Sequence, residues 1–497
     1  MTATFRRRVD NVVLRWQGRL DSDQADRVAP WLVATALFLV LNGLALAQAR
    51  SLGPSADLAA YNQAAWAIRH GLDPTMTVTT GSNVFANQGS FVFYPLAWLT
   101  SHVPPVPFLL TVQSLALALA VIPIWRVCRR LASLRTGASL MVLLVYALHP
   151  AIQSLNLDGF HPDTLAVPFL IGAGYFGLSQ HWRRFAICCL IAMLCRADLG
   201  LAVAGLGVLI MVQGYRRRGA IALVVGLAWA FGFLLIVQPH LGDGVSQLSA
   251  YAAYGDTPAS ILWGMLTQPV ELFTQVFSRS NFALLVYLFA PVLFLPFLSP
   301  RYLLPVVPLQ VIYLAGDVTQ ATRYGPQSVA IIAFIFLATP RGLSRLGRRS
   351  VEKVSIDRRV LITMAAAAIS FFLLYAPSSI YDRPWDWGGQ DAADGARIDA
   401  ADSLPADLRV RASESMLVQL SQRPELYLLD LGRGNDVAPD ADEITRDVDA
   451  IVIDRREVGR IDAYRERVLE VQIVQRGFVV QSDAEDIVVF ARPADSS

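Results

Sequence analysis

Apolar runs about as long as a bilayer is thick recur through the first three-quarters of this chain. Crossing the hydrocarbon layer takes roughly 20 mostly apolar residues in a helix, because a helix satisfies its own backbone polar groups there. Such runs lie near 30–48, 106–125, 137–152, 164–180, 184–196, 199–214, 219–237, 281–299, 302–316, 327–340 and 359–376. They predict an all-α polytopic membrane protein of about eleven transmembrane helices. Composition agrees: 54% hydrophobic residues, 16% charged and a mean hydropathy of +0.44 exclude an ordinary soluble enzyme.

Short cytoplasmic loops carry an excess of basic residues. Arg6–Arg8, Arg126–Arg135, Arg183–Arg184, Arg216–Arg218 and Arg341–Arg359 therefore read as cytoplasmic. Alternating spans between them puts the N-terminus inside and everything after Tyr375 outside. The net charge of +2 hides this split of basic residues inward and carboxylates outward, so nucleic acid is not an expected partner. The first run is long enough for a stable span, and no cleavable signal peptide is expected. Cys128, Cys188, Cys189 and Cys195 lie in or beside spans without a Cys-x-x-Cys pair, which argues against a disulfide framework or structural zinc.

Three segments follow: a cytoplasmic lead at 1–29, a membrane body at 30–376 and an extracytoplasmic tail at 377–497. The tail opens on the aromatic-rich stretch Ser378–Trp387 and then turns hydrophilic. A helical stretch near 411–421 and strand-like runs at 426–430, 450–454, 468–474 and 487–490 predict a small α/β domain. Its carboxylates lack ligand-like spacing, which favours a structural or acceptor-binding role.

Within the body, the strongly polar residues among the apolar runs, Asp57, Asp158, His161, Asp163, Arg196 and Asp198, all fall at the outer ends of the spans. Ionisable groups at membrane depth are costly and mark a functional site by default. The first outer loop, 49–105, is also long for a compact protein. In it, Asp57–Gly71 has apolar residues at 58, 61, 65, 66 and 68, which predicts an interfacial amphipathic helix capped by Asp57. Asp57 reads either as that cap or as a reactive carboxylate held over the body where the loop re-enters apolar sequence at Phe91–Trp98.

In Leu157-Asp-Gly-Phe-His-Pro-Asp163, the side chains of Asp158, His161 and Asp163 are spaced to converge on a divalent cation; the alternative is a polar turn stiffened by Pro162. In Cys195-Arg-Ala-Asp-Leu-Gly200, Arg196 and Asp198 form either a self-contained ion pair or a phosphate fork oriented by its carboxylate. Gln88, Arg323 and Tyr324 are further outer-face candidates, and Arg323 is an arginine on the side where arginine is scarce.

The order Asp57-Leu-x-x-Tyr61-x-Gln63, Pro95-Leu, Asp158-x-Phe-His-Pro-Asp163, Arg196-x-Asp-x-Gly-Leu201 and Ser299-Pro-Arg-Tyr-Leu303 resembles a bacterial multi-pass membrane-protein family of unknown function. Leu404–Ser413, Leu420–Arg423 and Ala450–Asp454 look like that family's C-terminal segment. The family is similar in turn to the GT-C glycosyltransferases, which transfer sugar from a polyprenyl-phosphate carrier outside the cytoplasmic membrane.

The resemblance implies a GT-C-like fold in a bacterial cytoplasmic membrane. It implies Asp57 as the catalytic residue, read here as the base. Beside the resemblance, the residue chemistry puts Arg196 and Arg323 on the donor phosphate, and His161, Asp163 and Asp198 around a divalent cation (Mg, Mn or Ca). Asp158, Gln88, Tyr61, Trp66 and Tyr324 would line the cavity, although interfacial anchoring is the favoured reading of Trp66. The implied partners are a polyprenyl-phosphate-linked sugar, an envelope glycan or lipid acceptor, and membrane lipid. Two departures stand out: Gln88-Gly89 where relatives carry His-Phe, and Ala197 where they carry an acidic residue. A flippase for a lipid-linked precursor and a non-catalytic assembly subunit are the alternatives; the lack of a clear internal repeat and the one-sided clustering favour an enzyme over a carrier.

Overall fold

The computed structural model describes residues 21–53, 55–79, 81–241, 250–316, 323, 325–350, 353–429, 441–458 and 463–493. Each of the eleven apolar runs becomes helical. The body comprises α1 (Asp23–Arg50), α2 (Ala56–Arg69), α3 (Pro105–Leu131), α4 (Thr136–Leu148), α5 (Pro150–Leu157), α6 (Ala166–Leu178), α7 (Trp182–Cys195) and α8 (Leu199–Val212). It continues with α9 (Arg216–Leu241), α10 (Arg279–Val292), α11 (Leu304–Ala315), α12 (Ser328–Arg345) and α13 (Arg358–Tyr375).

Among the described residues, α1, α3, α9, α12 and the segment beginning with α13 are each long and apolar enough to cross a membrane. The α4–α5 pair, bent by 46°, makes a sixth span if taken together. Helices α6, α7 and α8 have 13, 14 and 14 residues, short of the usual span, because turns carrying polar side chains interrupt the apolar sequence at both ends. Pro150 accounts for the α4–α5 bend: it has no amide hydrogen to continue the ladder, and His149 Nδ1 accepts the Ala151 amide at 3.2 Å.

Basic residues gather at one end of the bundle. Arg129 reaches Asp21 at 2.8 Å and Asp26 at 2.6 Å, and Leu134 bridges Val354 of the hairpin formed by β1 (Arg348–Ser350) and β2 (Lys353–Ser355). The polar motifs lie at the opposite ends of their helices, after α1, between α5 and α6, and between α7 and α8.

Helices α8 and α9 pack closely through glycines. A Cβ on Gly226 would lie 2.4 Å from the Gly200 carbonyl oxygen, which only a missing side chain allows. This contact draws α9 across the start of α8, beside Arg196 and Asp198.

In the tail, β3 (Val410–Ala412), β4 (Leu426–Leu428) and β5 (Ala450–Asp454) pair in parallel, and β7 (Ile487–Ala491) joins antiparallel to β5 and β6 (Val479–Ala484). The order is β4-β3-β5-β7-β6, with α14 (Ala392–Asp402) and α15 (Ala463–Gln475) packed on it. Two local expectations are corrected. The run 468–474 is part of helix α15: Leu469 and Ile473, four apart, are buried while Val471 and Val474 are exposed, so the period is helical despite the β-branched residues. The helix expected near 411–421 is shorter, since Val410–Ala412 is a strand and only Leu417–Leu420 is α-helical. Asp430 lies outside the described residues.

The tail shares a hydrophobic core with the first loop. Leu58, Ala59, Tyr61, Ala64 and Phe93 pack in one cluster with Val410, Met416, Leu417, Leu420, Val452 and Val489. Helix α2 is therefore buried on most sides, including Asn62 and Gln63, and is not the interfacial helix its apolar pattern suggests.

Replacing Gly226 with Val should force α8 and α9 apart at a cost of about 1–3 kcal/mol. The expected result is a lower thermal midpoint for the detergent-solubilised variant, and an unchanged midpoint would rule the close contact out.

Candidate functional site

Helix α2 starts at Ser55, whose hydroxyl accepts the Leu58 amide at 3.4 Å; Asp57 is thus in the first turn and is not the cap itself. There the helix dipole favours its negative charge. Its side chain keeps 53% of its surface open, in a recess crowded by protein, and its Oδ2 lies 3.8 Å from His161 Nε2. That separation is an ion pair and not a direct hydrogen bond.

His161 sits on the turn joining α5 to α6. Its amide donates to Gln113 Oε1 at 2.8 Å, and Gln113 Nε2 donates to the Leu155 and Gly159 carbonyls at 2.9 and 2.7 Å. One glutamine on α3 thus fixes the whole turn. Its neighbour Ser114 holds Asn156 at 2.8 Å, and Asn156 donates to the Leu41 carbonyl at 2.8 Å. The His161 ring lies 2.8 Å from the Asp158 carbonyl oxygen and 3.8 Å from the Asp158 carboxylate.

Burial would lower the His161 pKa, but Asp158, Asp57 and Asp163 outweigh it and raise it from 6.5 to about 9. The ring is then an imidazolium at neutral pH. For Asp57, burial raises the pKa above the ordinary carboxylate value; His161 opposes this, and Asp158 and Asp163 add to it.

A second cluster adjoins the first. The Arg196 guanidinium donates to Asp163 Oδ2 at 2.8 Å, to Asp198 Oδ1 at 2.6 Å and to the Tyr313 hydroxyl, and Tyr313 donates to Asp198 Oδ2. Asp163 is fully buried, whereas Asp198 is 36% exposed. Both alternatives for Arg196–Asp198 bear on this geometry: the two do pair, and Asp163 makes the arrangement a triad. Tyr61, one turn after Asp57 on the same face of α2, is buried against Phe93 and Phe160, at ring distances of 5.2 and 5.5 Å. Burial and the neighbouring Asp163 and Asp57 keep its phenol protonated.

Beside Arg196 and Asp198 opens a cavity of about 430 Å³. Its walls are mainly apolar, with Leu201, Leu227, Phe231 and Leu309 among them, and Gln88 and Asn87 line it too. Asp57 and His161 are not in its lining; Asp163, between His161 and Arg196, links the two regions.

The metal expectation does not fit. Among the described residues no three His, Cys, Asp or Glu side chains form a group able to hold a metal ion. Arg196 stands between Asp163 and Asp198, and both Asp198 oxygens are engaged. Of the carboxylate oxygens of Asp163 and Asp198, Asp163 Oδ1 is buried without a partner.

Arg323 is placed away from the cavity lining, with its guanidinium 5.1 Å from the Tyr287 ring and 5.2 Å from the Tyr375 ring. Trp66 lies half a helical rotation from Asp57 and packs on His70 at 4.3 Å. Tyr324 lies outside the described residues. Sequence reading missed Gln113 and Tyr313; the signal available was a polar group inside each of the apolar runs 106–125 and 302–316.

The fold is similar to that of ArnT. Two ArnT structures from Cupriavidus metallidurans, one bound to undecaprenyl phosphate and one in the apo state, superimpose with TM-scores of 0.51. The sequences are 12% and 13% identical, and each match covers 94% of this chain and 98% of ArnT. No curated protein matches the sequence significantly. Residues 52–489 match DUF2079, described as a predicted membrane protein, and the chain belongs to that family.

Because His161 is raised from 6.5 to about 9 by its carboxylates, its stabilising contribution is complete below pH 6.5 and is lost as pH rises through about 9. Thermal unfolding over that interval should show the native protein losing its advantage over His161→Gln. A stability difference independent of pH would contradict the charged state.

Proposed function

We propose that the protein is a membrane glycosyltransferase that moves a sugar from a polyprenyl-phosphate carrier to a cell-envelope acceptor. One observation carries this reading: the Asp57–His161 pair connects through Asp163 to an arginine bordering an apolar cavity. Such a cavity suits an isoprenoid chain, the arginine beside it suits a phosphate, and a carboxylate with a raised pKa suits proton abstraction. The shared fold supports the same reading, since one ArnT structure is bound to undecaprenyl phosphate.

In this scheme all eleven apolar runs are spans of a bacterial cytoplasmic membrane. The N-terminus is cytoplasmic, and the site and residues 377–497 lie outside. No nucleotide sugar is available there, so the donor arrives on a lipid. Asp57 takes the proton of the acceptor hydroxyl as that oxygen bonds to the anomeric carbon. The bond from the anomeric carbon to the donor phosphate breaks, and the phosphate oxygen leaves with the electron pair.

The imidazolium of His161 holds Asp57 ionised for that role. Arg196 stabilises the leaving phosphate. Of its five N–H groups three are engaged among the described residues, one on each nitrogen, so each terminal nitrogen keeps one to offer. Asp198, the exposed partner, is the carboxylate a phosphate would displace; Asp163, fully buried, stays and orients the guanidinium.

Asp57→Asn should lower transfer by roughly a hundred- to ten-thousand-fold. A deletion strain carrying either the native protein or Asp57→Asn at matched membrane levels provides the comparison. The expected outcome is a polyprenyl-linked sugar that accumulates with the variant and an envelope glycan restored only by the native protein. Full restoration by the variant would remove Asp57 as base and leave transport of a lipid-linked precursor as the better account.

A further inference from the structure

Helix α2 has two working faces. Asp57 and Tyr61, four residues apart, face the turn that carries His161, whereas Asn62 and Gln63 lie round the helix from them. Asn62 Nδ2 donates to Ser421 Oγ at 2.7 Å, a buried hydrogen bond between the first loop and the tail. Gln63 Nε2 donates to the Pro424 carbonyl at 3.1 Å and to Thr77 Oγ1 at 2.8 Å, and the Thr77 amide donates to Gln63 Oε1 at 3.0 Å.

Thr77 completes the connection. Its hydroxyl donates to the Leu426 carbonyl at 2.7 Å and accepts the Leu426 amide at 3.0 Å. Leu426 begins β4, the edge strand of the tail sheet. One side chain of the first loop thus satisfies both backbone groups that a neighbouring strand would otherwise take. Ala59, Ala60, Ala64 and Ala65 are all essentially inaccessible, and their small side chains let α2 sit tightly between the tail and the membrane body.

We infer that the C-terminal domain is a positioning element for Asp57: the Asn62–Ser421 and Gln63–Thr77–Leu426 contacts hold α2 at the height where its first turn meets His161. Asn62, Gln63, Thr77 and Ser421 are positioning residues, acting through Asp57 and touching no substrate. The inference rests on reading Asp57 as the base. The geometry supplies its physical reason: Asp57 and His161 are 3.8 Å apart without a direct hydrogen bond, so their spacing depends on what holds α2 from behind. The donor cavity is lined by residues of the body alone, so the tail should govern the reaction and not donor binding.

The test uses the full chain in nanodiscs, with Thr77→Val, Ser421→Ala and their combination. Thr77→Ser keeps the hydroxyl, and Arg476→Gln removes an exposed tail pair with Asp442, 2.7 Å apart and remote from the seam. Hydrogen exchange across Ala56–Arg69 should quicken at least tenfold in the double variant while Ala450–Asp454 stays protected. Affinity for undecaprenyl phosphate should stay within twofold of native, and transfer in the complemented strain should fall at least tenfold. Thr77→Ser and Arg476→Gln should behave as native in all three measurements.

Unchanged α2 exchange in the double variant would overturn the inference, as would faster exchange with transfer intact. If the double variant does not fold, the single variants are read in the same way. Exchange is measured without turnover, so failure of the clamp is distinguishable from failure of Asp57 as base, which Asp57→Asn tests independently.

Discussion

A guanidinium buried at the end of a membrane bundle is the constraint around which the site is organised. Arg196 is 5% exposed, and such a charge is tolerated only with its countercharges and hydrogen bonds in place. Asp163 and Asp198 supply the charge and Tyr313 a further partner. These groups come from the turn before α6, the α7–α8 junction and α11, so meeting the arginine's needs fixes one end of several helices together. The junction itself is extended, with Arg196 at φ −160° and ψ 136°, which ends α7 and directs the side chain inward.

The first loop is tied to the same junction. The Ala197 amide donates to the Gln88 carbonyl at 3.0 Å, and Gly89, at φ +67°, lies so close that a Cβ there would be 2.8 Å from the Ala197 Cβ. Gln88-Gly89 and Ala197 are therefore neighbours in space. A residue as large as phenylalanine at 89 would meet both Ala197 and Phe233.

Much of this was legible in the sequence because membrane physics makes sequence unusually explicit. Apolar length marks helices, and the cost of burying Asp163 and Arg196 means that residues 33 apart in the chain must meet. The assembly of the site was less legible. That Arg196 would take two carboxylates, separating Asp163 from Asp198 and dismantling the expected metal trio, depends on the angle at which α7 breaks. Arg323 was singled out by its rarity on one side of the membrane, yet rarity gives no direction, and its ring contacts come from Tyr287 and Tyr375 on distant helices. The valine-rich run 468–474 misled because β-branched residues suit strands, whereas the burial of Leu469 and Ile473 follows a helical period.

The apolar pattern of α2 misled for a related reason. A helix with one apolar face lies at an interface, whereas a helix covered on two sides needs small residues and a few polar groups aimed at particular partners. Its alanines and the Asn62-Gln63 pair are that signature, hidden by a composition that also suits an interface. The consequence for function is mechanical. Asp57 stands on an element secured by the tail, and Arg196 on elements secured by the bundle, so the two halves of the proposed chemistry are held by different parts of the molecule. Asp163 and Tyr61 lie between them, and any change in how the tail seats on the first loop alters the relation of Asp57 to Arg196 while leaving each half intact.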